Sequence, residues 1–338
     1  MGALINLHIL VEPISKLIDV FSSAFGKIYE PFHIRRMTKA KSEEIRIIAE
    51  RIRENIDVPI TYNKSADVSI DTSSSEELRK RAGDRFVYQE IKKQQNIEAV
   101  ADKTYDLLKN SEKVSSEPVN QDWMTRFFNS IEDISNEEMQ NIWAKILAGE
   151  IKKPNTYSLR MLETIKNLTS YEAKLFQEIS QYFIVTGNAI FLPNEKEFLK
   201  SYQINYSTIL KLDECGLISS QALLLSLNYE LDKLPEKNTI AHNSKIMIRV
   251  GDNGSQKISI VVYLLSAVGK ELYLTIHKKD TDNEKFIIDY AKKLQKKHKN
   301  QKISAHKVND ITNNQINYQL QDILLTAEKA DKNIPSKN

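Results

Sequence analysis

The chain has 338 residues, enough for about two domains, and 41% of them are hydrophobic and 28% charged. This composition supports a sizeable hydrophobic core and excludes a chain that is disordered throughout. Because 48 lysines and arginines are balanced by 45 aspartates and glutamates, any affinity for nucleic acid or membrane must come from local clusters of charge. The single cysteine, Cys215, excludes a disulfide framework and fits a reducing compartment.

The N-terminal segment is apolar but short. Residues 1–11 carry no charge, and Glu12 and Lys16 follow. This is about half the ~20 residues that a helix needs to cross a bilayer, and no basic segment precedes it as in a secretory signal. We therefore predict a cytoplasmic protein. Apolar residues at helical spacing over 14–28 predict an amphipathic helix, which either packs on another helix or attaches peripherally to a membrane through residues 1–28.

Further amphipathic helices are predicted through the N-terminal half. Residues 34–56 carry isoleucines between charges of both signs, a pattern typical of a bundle or short coiled coil. A polar loop over 57–75 and a long helix over 76–109 follow, and capping boxes at Ser135–Glu138 and Thr169–Glu172 predict two more helix starts. The predicted parts are amphipathic helices over 1–62, a loop or hinge over 63–75 and a helical domain over 76–168.

The second half predicts a different architecture. Its segments are short helices over 195–201 and 206–215, β-rich runs at 245–250 and 257–265 around a Gly-Asp-Asn-Gly turn, and a third run at 272–277. Helices followed by a hairpin and a third strand are the order of a winged-helix domain. We therefore predict a mainly α protein, α+β overall. It has a helical N-terminal bundle, a winged-helix-like domain with a small antiparallel sheet over 169–310, and a C-terminal helix and frayed tail over 311–338.

Motifs of cofactor and metal chemistry are missing from the sequence. There is no glycine-rich phosphate loop, no His-Glu-x-x-His and no EF-hand loop, and the six histidines are scattered. We therefore expect no cofactor, no metal and no evident small-molecule ligand. Asp213 and Glu214 beside Cys215 would raise the pKa of its thiol, so we interpret it as a buried structural residue.

Acids and arginines of the helical middle could still serve a hydrolase, because catalytic partners can be distant in the chain. These candidates are Asp122, Arg126, Asp133, Glu150 and Arg160. Helix capping and ion pairing explain the same residues without catalysis. The aromatic residues of this region fall at helical spacing and predict core packing rather than stacking platforms: Trp123, Phe127, Phe128 and Trp143.

The strongest local charge lies near the C-terminus. Seven lysines and no acid occur over 291–307, namely Lys292, Lys293, Lys296, Lys297, Lys299, Lys302 and Lys307. Such a cluster either contacts nucleic-acid phosphates, joined by Arg35 and Arg36 if these share its face, or is a solvated helix face. The helix over 206–215 has one lysine against two acids, so a winged helix here would contact a protein surface.

The middle of the chain resembles a bacterial family, domain of unknown function 2806. The resemblance lies in DWMTRFF (122–128), DISNEEMQNIWAKILAGEIKKP (133–154), SLRMLETIKNLTSYEAKLF (158–176), QQNIEAVADKTYDLL (94–108) and LLSAVGKEL (264–272). Its motif residues are Asp122, Trp123, Arg126, Trp143, Gly149, Glu150 and Arg160. Residues 26–44, GKIYEPFHIRRMTKAKSEE, are more weakly similar to abortive-infection alpha proteins. The resemblance implies a bacterial protein with a role in phage defence and names no catalytic residue.

Four kinds of function remain open, of which peripheral membrane attachment through residues 1–28 is one. The missing motifs and the resemblance favour a non-enzymatic interaction or regulatory protein, a sensor or adaptor in phage defence that binds a protein partner or a second copy of itself. The lysine cluster supports a nucleic-acid binder. An enzyme remains open, and it predicts that Asp122, Glu150 and Arg160 converge in a pocket.

Overall fold

The computed structural model describes residues 12–25, 75–111, 114–219, 226–230, 238–251, 257–312 and 315–324. They belong to two compact units, Met1–Lys166 and Asn167–Asn338. The predicted helix over 34–56, with Arg35 and Arg36, and nearly all of the predicted loop over 57–75 lie outside the described residues.

The first unit is helical throughout its described residues. Its helices are α1 (Glu12–Phe25), α2 (Ser75–Leu108), α3 (Gln121–Ile131), α4 (Glu137–Lys152) and α5 (Leu159–Asn167). The apolar stripe of α1 is buried, and the Phe21 ring meets the Phe128 ring of α3 edge-on at 4.9 Å between centroids. This face of α1 is thus used for packing inside the unit.

The core of the first unit forms where α2, α3 and α4 meet. Trp143 and Phe127 are fully buried, with ring centroids 5.4 Å apart. The start of α4 differs from the prediction by one residue. Asn136, rather than Ser135, is the N-cap, and its side chain accepts from the amide of Met139 at 3.0 Å. An asparagine oxygen satisfies a first-turn amide as well as a serine oxygen does.

The second unit combines helices and strands. Its helices are α6 (Ser170–Ile179), α7 (Lys196–Ser201), α8 (Tyr206–Glu214), α9 (Ala267–Ile276) and α10 (Glu284–Lys297), with 3-10 turns at Ser180–Tyr182 and Lys279–Thr281. Its strands are β1 (Ile184–Thr186), β2 (Ala189–Pro193), β3 (Ile218–Ser219), β4 (Ser226–Glu230), β5 (Thr239–His242), β6 (Ile246–Gly251), β7 (Lys257–Leu265), β8 (Lys302–Thr312) and β9 (Gln315–Tyr318).

These nine strands form one antiparallel sheet, larger than the predicted small one. The order is β3-β7-β2-β1-β5-β6-β8-β9, and β4 pairs with the first half of β7. The predicted hairpin between residues 245–250 and 257–265 is wrong, because β6 pairs with β5 and β8 whereas β7 pairs with β2, β3 and β4. Strand β9 also lies within the segment for which a C-terminal helix was predicted.

The predicted third strand over 272–277 is wrong as well, because residues 272–276 form the second half of α9. Ser266 is the N-cap and accepts from the amide of Gly269 at 2.9 Å. The buried residues Val268, Leu272 and Ile276 are four residues apart, which is helical spacing that the β-rich composition of the run conceals. A Cβ at Gly269 would collide with the backbone carbonyl of Leu217, so only glycine lets α9 approach this closely.

The turn between α8 and β3 agrees with the sequence. Gly216 has a φ of +70° and follows α8, as predicted for a left-handed residue beyond a helix end. The amide of Leu217 then donates to the carbonyl of Leu212 at 2.9 Å. The chain therefore leaves α8 in a fixed direction and enters the sheet at Ile218.

Candidate functional site

The predicted catalytic acid Glu150 holds a turn of the first unit. Its side chain is buried at 1% exposure and accepts from three backbone amides: Asn155 at 2.7 Å, Thr156 at 3.0 Å and Tyr157 at 3.1 Å. Asn155 has a φ of +63°, a conformation that asparagine adopts more readily than most residues. The carboxylate therefore stabilises the reversal of the chain between α4 and α5.

The preceding residue, Gly149, is required by the same turn. A Cβ at this position would collide with the Tyr157 side chain, 2.8 Å from Cε2. The indole of Trp123 donates to the carbonyl of Tyr157 at 3.0 Å. The Gly149-Glu150 pair, for which periodicity gives no reason, is thus explained by close packing of α4 against the turn that follows it.

The remaining candidates of the helical middle lie at the surface. Asp122 and Arg160 are exposed at the starts of α3 and α5, and Arg126 is 4.0 Å from Glu163 with both side chains more than half exposed. Neither of the two clefts described below is lined by Asp122, Glu150 or Arg160. Glu150 uses both carboxylate oxygens for the turn, so the described geometry favours structural roles for this group.

The lysine cluster lies on the outer face of α10 and at the start of β8. Phe286, Ile287, Tyr290 and Leu294 point inward as predicted, with at most 3% exposure. The Gln295 side chain bonds to the carbonyl of Gln301 and the amide of Ile303, and it thereby ties β8 to the end of α10. The cluster is therefore one surface formed by two elements.

Four of the seven lysines are engaged in ion pairs, one of them Lys307, which lies 3.7 Å from Glu284. Lys293 and Lys297 lie 3.4 Å and 3.2 Å from Glu195, and Lys292 lies 3.6 Å from Asp289. Within the described residues Lys296, Lys299 and Lys302 have no ion pair, and all three are exposed. Burial, with a smaller contribution from Lys297, lowers the pKa of His298 inside the cluster. Among the described residues, this surface thus keeps three ammonium groups that form no ion pair.

Glu195 joins this cluster to a second basic element that sequence reasoning missed. It directly precedes α7, whose exposed lysines are Lys196 and Lys200. The Tyr202 hydroxyl, just after α7, donates to Asp289 of α10 at 2.7 Å, and burial with this bond raises its pKa. Residues about one hundred positions apart therefore form one surface, and the only sequence signal was the two-lysine face of a six-residue helix.

A cleft of about 120 Å³ opens beside α7, at the start of α8. Tyr206, the first residue of α8, is half exposed, and the Lys196 ammonium lies 5.3 Å from the centre of its ring. Ile209 and Tyr263 are buried and also line the cleft. Burial, and to a lesser degree the nearby Tyr206, raises the pKa of Tyr263. An aromatic face and an ammonium thus meet beside the lysine cluster.

A second tyrosine–lysine pair lies away from this cleft. Tyr171 of α6 is 62% exposed, and the Lys211 ammonium of α8 lies 5.4 Å from its ring centre. Nearby, burial raises the pKa of the Cys215 thiol to about 11, with Glu172 the next contributor. The predicted direction of the pKa shift is confirmed, but Cys215 is part-buried rather than buried as expected, and Glu172 contributes more than the neighbouring acids that the sequence suggested. A thiol of this kind is a poor nucleophile at neutral pH.

The first unit has its own cleft, of about 410 Å³, between α1 and residues 114–119. The Lys16 ammonium donates to the carbonyls of Ser115 at 2.7 Å and Glu117 at 2.5 Å. Burial lowers its pKa. These bonds use the cation to fasten the segment between α2 and α3 to α1.

A serine, a histidine and an aspartate of the second unit are close together but enclosed. His277 has Nδ1 3.3 Å from the Ser180 hydroxyl and Nε2 3.0 Å from Asp282. Ser180 is 2% exposed and donates to the carbonyl of Gln177, and Asp282 accepts from the amide of Ser244. A hydroxyl without access to substrate cannot act as a nucleophile, so this group stabilises the turns around it.

Metal-binding clusters and membrane-spanning helices are both absent from the described residues. Among the described residues, no three His, Cys, Asp or Glu side chains are placed to hold a metal ion. No described helix combines the length and apolar character needed to cross a bilayer.

Comparison with known proteins identifies a family. The family model described as "Protein of unknown function (DUF2806)" matches residues 80–287, more than half of the chain. No curated protein and no solved structure matches the chain. Residues 26–44, which carry the weaker resemblance to abortive-infection alpha proteins, lie outside both the matched and the described residues. The match includes the Glu150 turn and the α8 cleft, and the chain belongs to the DUF2806 family.

Proposed function

We propose that this chain is a non-enzymatic binding protein whose second unit binds nucleic acid through phosphates. The observation that carries the proposal is the position of Glu195, which pairs with Lys293 and Lys297 of α10 and directly precedes Lys196 of α7. Two lysine groups distant in sequence thereby form one positive surface. Clustered ammonium groups attract a polyanion by releasing its counterions, whatever its sequence.

The lysines that form no ion pair with a described residue are the ones expected to contact phosphate. Lys296, Lys299 and Lys302 are exposed, and the neighbouring acids are engaged by other lysines. A lysine already paired with a carboxylate must give up that pair before it can bind phosphate. The two sets are therefore expected to differ in their contribution to binding.

We also propose that the second unit contains a winged-helix-like core. Supporting it are the succession of α6, the β1-β2 hairpin, α7, α8 and β3 along the chain, and the sheet order β3-β7-β2. In this assignment β7 takes the place of the predicted hairpin, and β5 and β6 belong to an insertion. The first residue of α8 in this assignment is Tyr206, beside the lysine surface.

In a cell, this binding would serve a regulatory role, that of a sensor or adaptor in phage defence. What supports it is the resemblance of residues 26–44 to abortive-infection alpha proteins.

Self-association is a second proposal, supported by the exposed apolar side chains Leu78, Phe86 and Tyr88 along the first half of α2. Light scattering after size exclusion tests it, and a strict monomer at high concentration would contradict it.

Fluorescence anisotropy with labelled 20-nucleotide single strands and 20-base-pair duplexes, at 50 to 200 mM salt, tests nucleic-acid binding. Each phosphate contact contributes roughly 0.7–0.9 to the slope of log affinity against log salt. The triple variant Lys296→Gln/Lys299→Gln/Lys302→Gln should therefore reduce the slope by about 2–3. The matched control is Lys292→Gln/Lys293→Gln/Lys297→Gln, which removes the same charge from paired lysines and should change the slope less.

Two results would reject the proposal. One is no binding by the unmodified protein at 50 mM salt. The other is an equal loss of binding in both triple variants, because the protein would then respond to net charge and not to this surface.

A further inference from the structure

We propose that the cleft at the start of α8 receives one unstacked base of a single-stranded nucleic acid whose phosphates lie along the lysine surface. This inference rests on the proposed function and adds to it a ligand class and a binding pocket. The pocket is formed by Tyr206, Asn205 and the buried residues beneath them.

The volume of the cleft is compatible with one planar heterocycle. Its volume is about 120 Å³, and its apolar walls include Ile204, Ile209 and Tyr263, all buried. A base pair would not fit into this space. A base of a duplex would first have to be unpaired and unstacked before entering, whereas a single strand presents its bases without that cost.

Tyr206 provides an aromatic surface for the base. Half of this side chain is exposed although it lines the cleft, so part of its ring is accessible. Base–aromatic stacking tolerates any sequence because every base has a π-face. The Lys196 ammonium, 5.3 Å from the ring centre, is on a flexible stem and can turn from the ring to a phosphate.

Asn205 supplies hydrogen-bonding groups for the edge of the base. It is exposed, lines the cleft and precedes α8, yet its side chain does not cap the helix. Its amide offers two donors and an acceptor, the combination that pairs with the edges of bases. Asn205 is therefore expected to determine any preference among bases. Tyr206 is expected to determine the overall affinity for a single strand.

The charges around the cleft favour a polyanion over an apolar or basic ligand. Lys196 and Lys200 line it, and Glu197 is the one acid among its lining residues. The lysine surface continues from Lys196 through Glu195 to α10. A strand could thus place a base in the cleft and its neighbouring phosphates along the lysines.

Anisotropy measurements with a labelled dT20 strand, a dA20 strand, an rU20 strand and a 20-base-pair dA·dT duplex test the inference. Tyr206→Ala should weaken single-strand binding about 5- to 150-fold, the range measured for one base–aromatic stack. It should leave duplex binding and the salt slope nearly unchanged. Tyr206→Phe keeps the ring and should retain single-strand affinity, and Asn205→Ala should reduce the difference between dA20 and dT20.

The matched control is Tyr171→Ala, which removes an exposed tyrosine of the same unit that also lies beneath a lysine but does not line the cleft. Circular dichroism of each variant confirms that the fold is retained. Equal losses in Tyr171→Ala and Tyr206→Ala would overturn the assignment to this cleft.

The outcomes separate this inference from the function on which it rests. One outcome is that the variant Lys296→Gln/Lys299→Gln/Lys302→Gln loses binding whereas Tyr206→Ala binds single strands normally. The phosphate surface then stands and the base pocket is rejected. A protein that prefers the duplex also rejects the pocket and leaves the surface. If the unmodified protein binds none of the four ligands at 50 mM salt, both are rejected.

Discussion

Replacing Glu150 by alanine tests whether this residue stabilises a turn or performs catalysis. The carboxylate is 1% exposed and accepts from the amides of Asn155, Thr156 and Tyr157 at 2.7–3.1 Å. In Glu150→Ala these amides lose their acceptor, and a cavity replaces the side chain. Asn155 would also keep its positive φ without the bond that fixes it.

The expected loss of stability follows from these contacts. A hydrogen bond to a charged group contributes about 1.5–3 kcal/mol, and three such bonds are lost. Because Asn155 and Thr156 are exposed, water can replace part of the lost bonding, so the sum is not reached. We expect a loss of about 3–5 kcal/mol, at the upper end of single-residue effects. For a unit of this size this lowers Tm by about 6–20 °C.

Tryptophan fluorescence measures this loss selectively. The chain has two tryptophans, Trp123 and Trp143, and both are buried in the first unit. A urea titration followed at their emission therefore reports the unfolding of that unit alone. The control is Glu163→Ala, which removes a carboxylate that is 57% exposed and should change stability by less than about 1 kcal/mol.

The reasoning is refuted if Glu150→Ala and Glu163→Ala have the same unfolding midpoint. It is also refuted if Glu150→Ala is more stable than the unmodified protein, because removal of a carboxylate that serves catalysis often leaves stability unchanged or raises it. Glu150→Gln keeps one carbonyl oxygen as an acceptor, so its unfolding midpoint should lie between those of Glu150→Ala and Glu163→Ala.

Three further outcomes are expected. Gly149→Ala pushes a methyl group against the Tyr157 ring and should cost about 1–3 kcal/mol in the same titration, whereas an unchanged midpoint would mean that the ring moves aside. Because the thiol pKa of Cys215 is raised to about 11, its rate of alkylation by iodoacetamide should rise up to that pH, and a plateau near pH 9 would contradict the burial. Burial lowers the pKa of His242 in the folded protein, so its imidazole binds a proton at a higher pH in the unfolded chain than in the folded one. The resulting stability is complete above about pH 6.5 and decreases as the pH falls below it, and His242→Gln should flatten this dependence in thermal unfolding followed by circular dichroism.

Features that depend on near neighbours in sequence were predictable. The long helix over 76–109 is α2, and the Thr169–Glu172 capping box begins α6 with both of its hydrogen bonds. Gly216 ends α8 with a positive φ. In each case a few adjacent residues determine the conformation, so the sequence pattern is sufficient.

Features that depend on distant pairing were not predictable. The run over 257–265 is a strand as expected, but its partners come from residues 189–193, 218–219 and 226–230 and not from the adjacent run. The basic surface shows the same limit. The cluster over 292–302 is evident in the sequence, whereas its continuation to Lys196 depends on Glu195, whose position only the fold reveals.

The family match divides the candidate surface in a way that bears on its function. The matched residues end at 287, so they include the cleft lined by Lys196, Asn205 and Tyr206 but not the lysines over 292–302. The motif residues that the resemblance emphasises, Gly149 and Glu150, are used by a turn of the first unit. If ligand binding is a property of the matched region, the cleft must bind without the lysine cluster, and the cluster adds affinity that salt removes. At 200 mM salt, where phosphate contacts are weakest, Tyr206→Ala should then reduce single-strand affinity more than Lys296→Gln/Lys299→Gln/Lys302→Gln does.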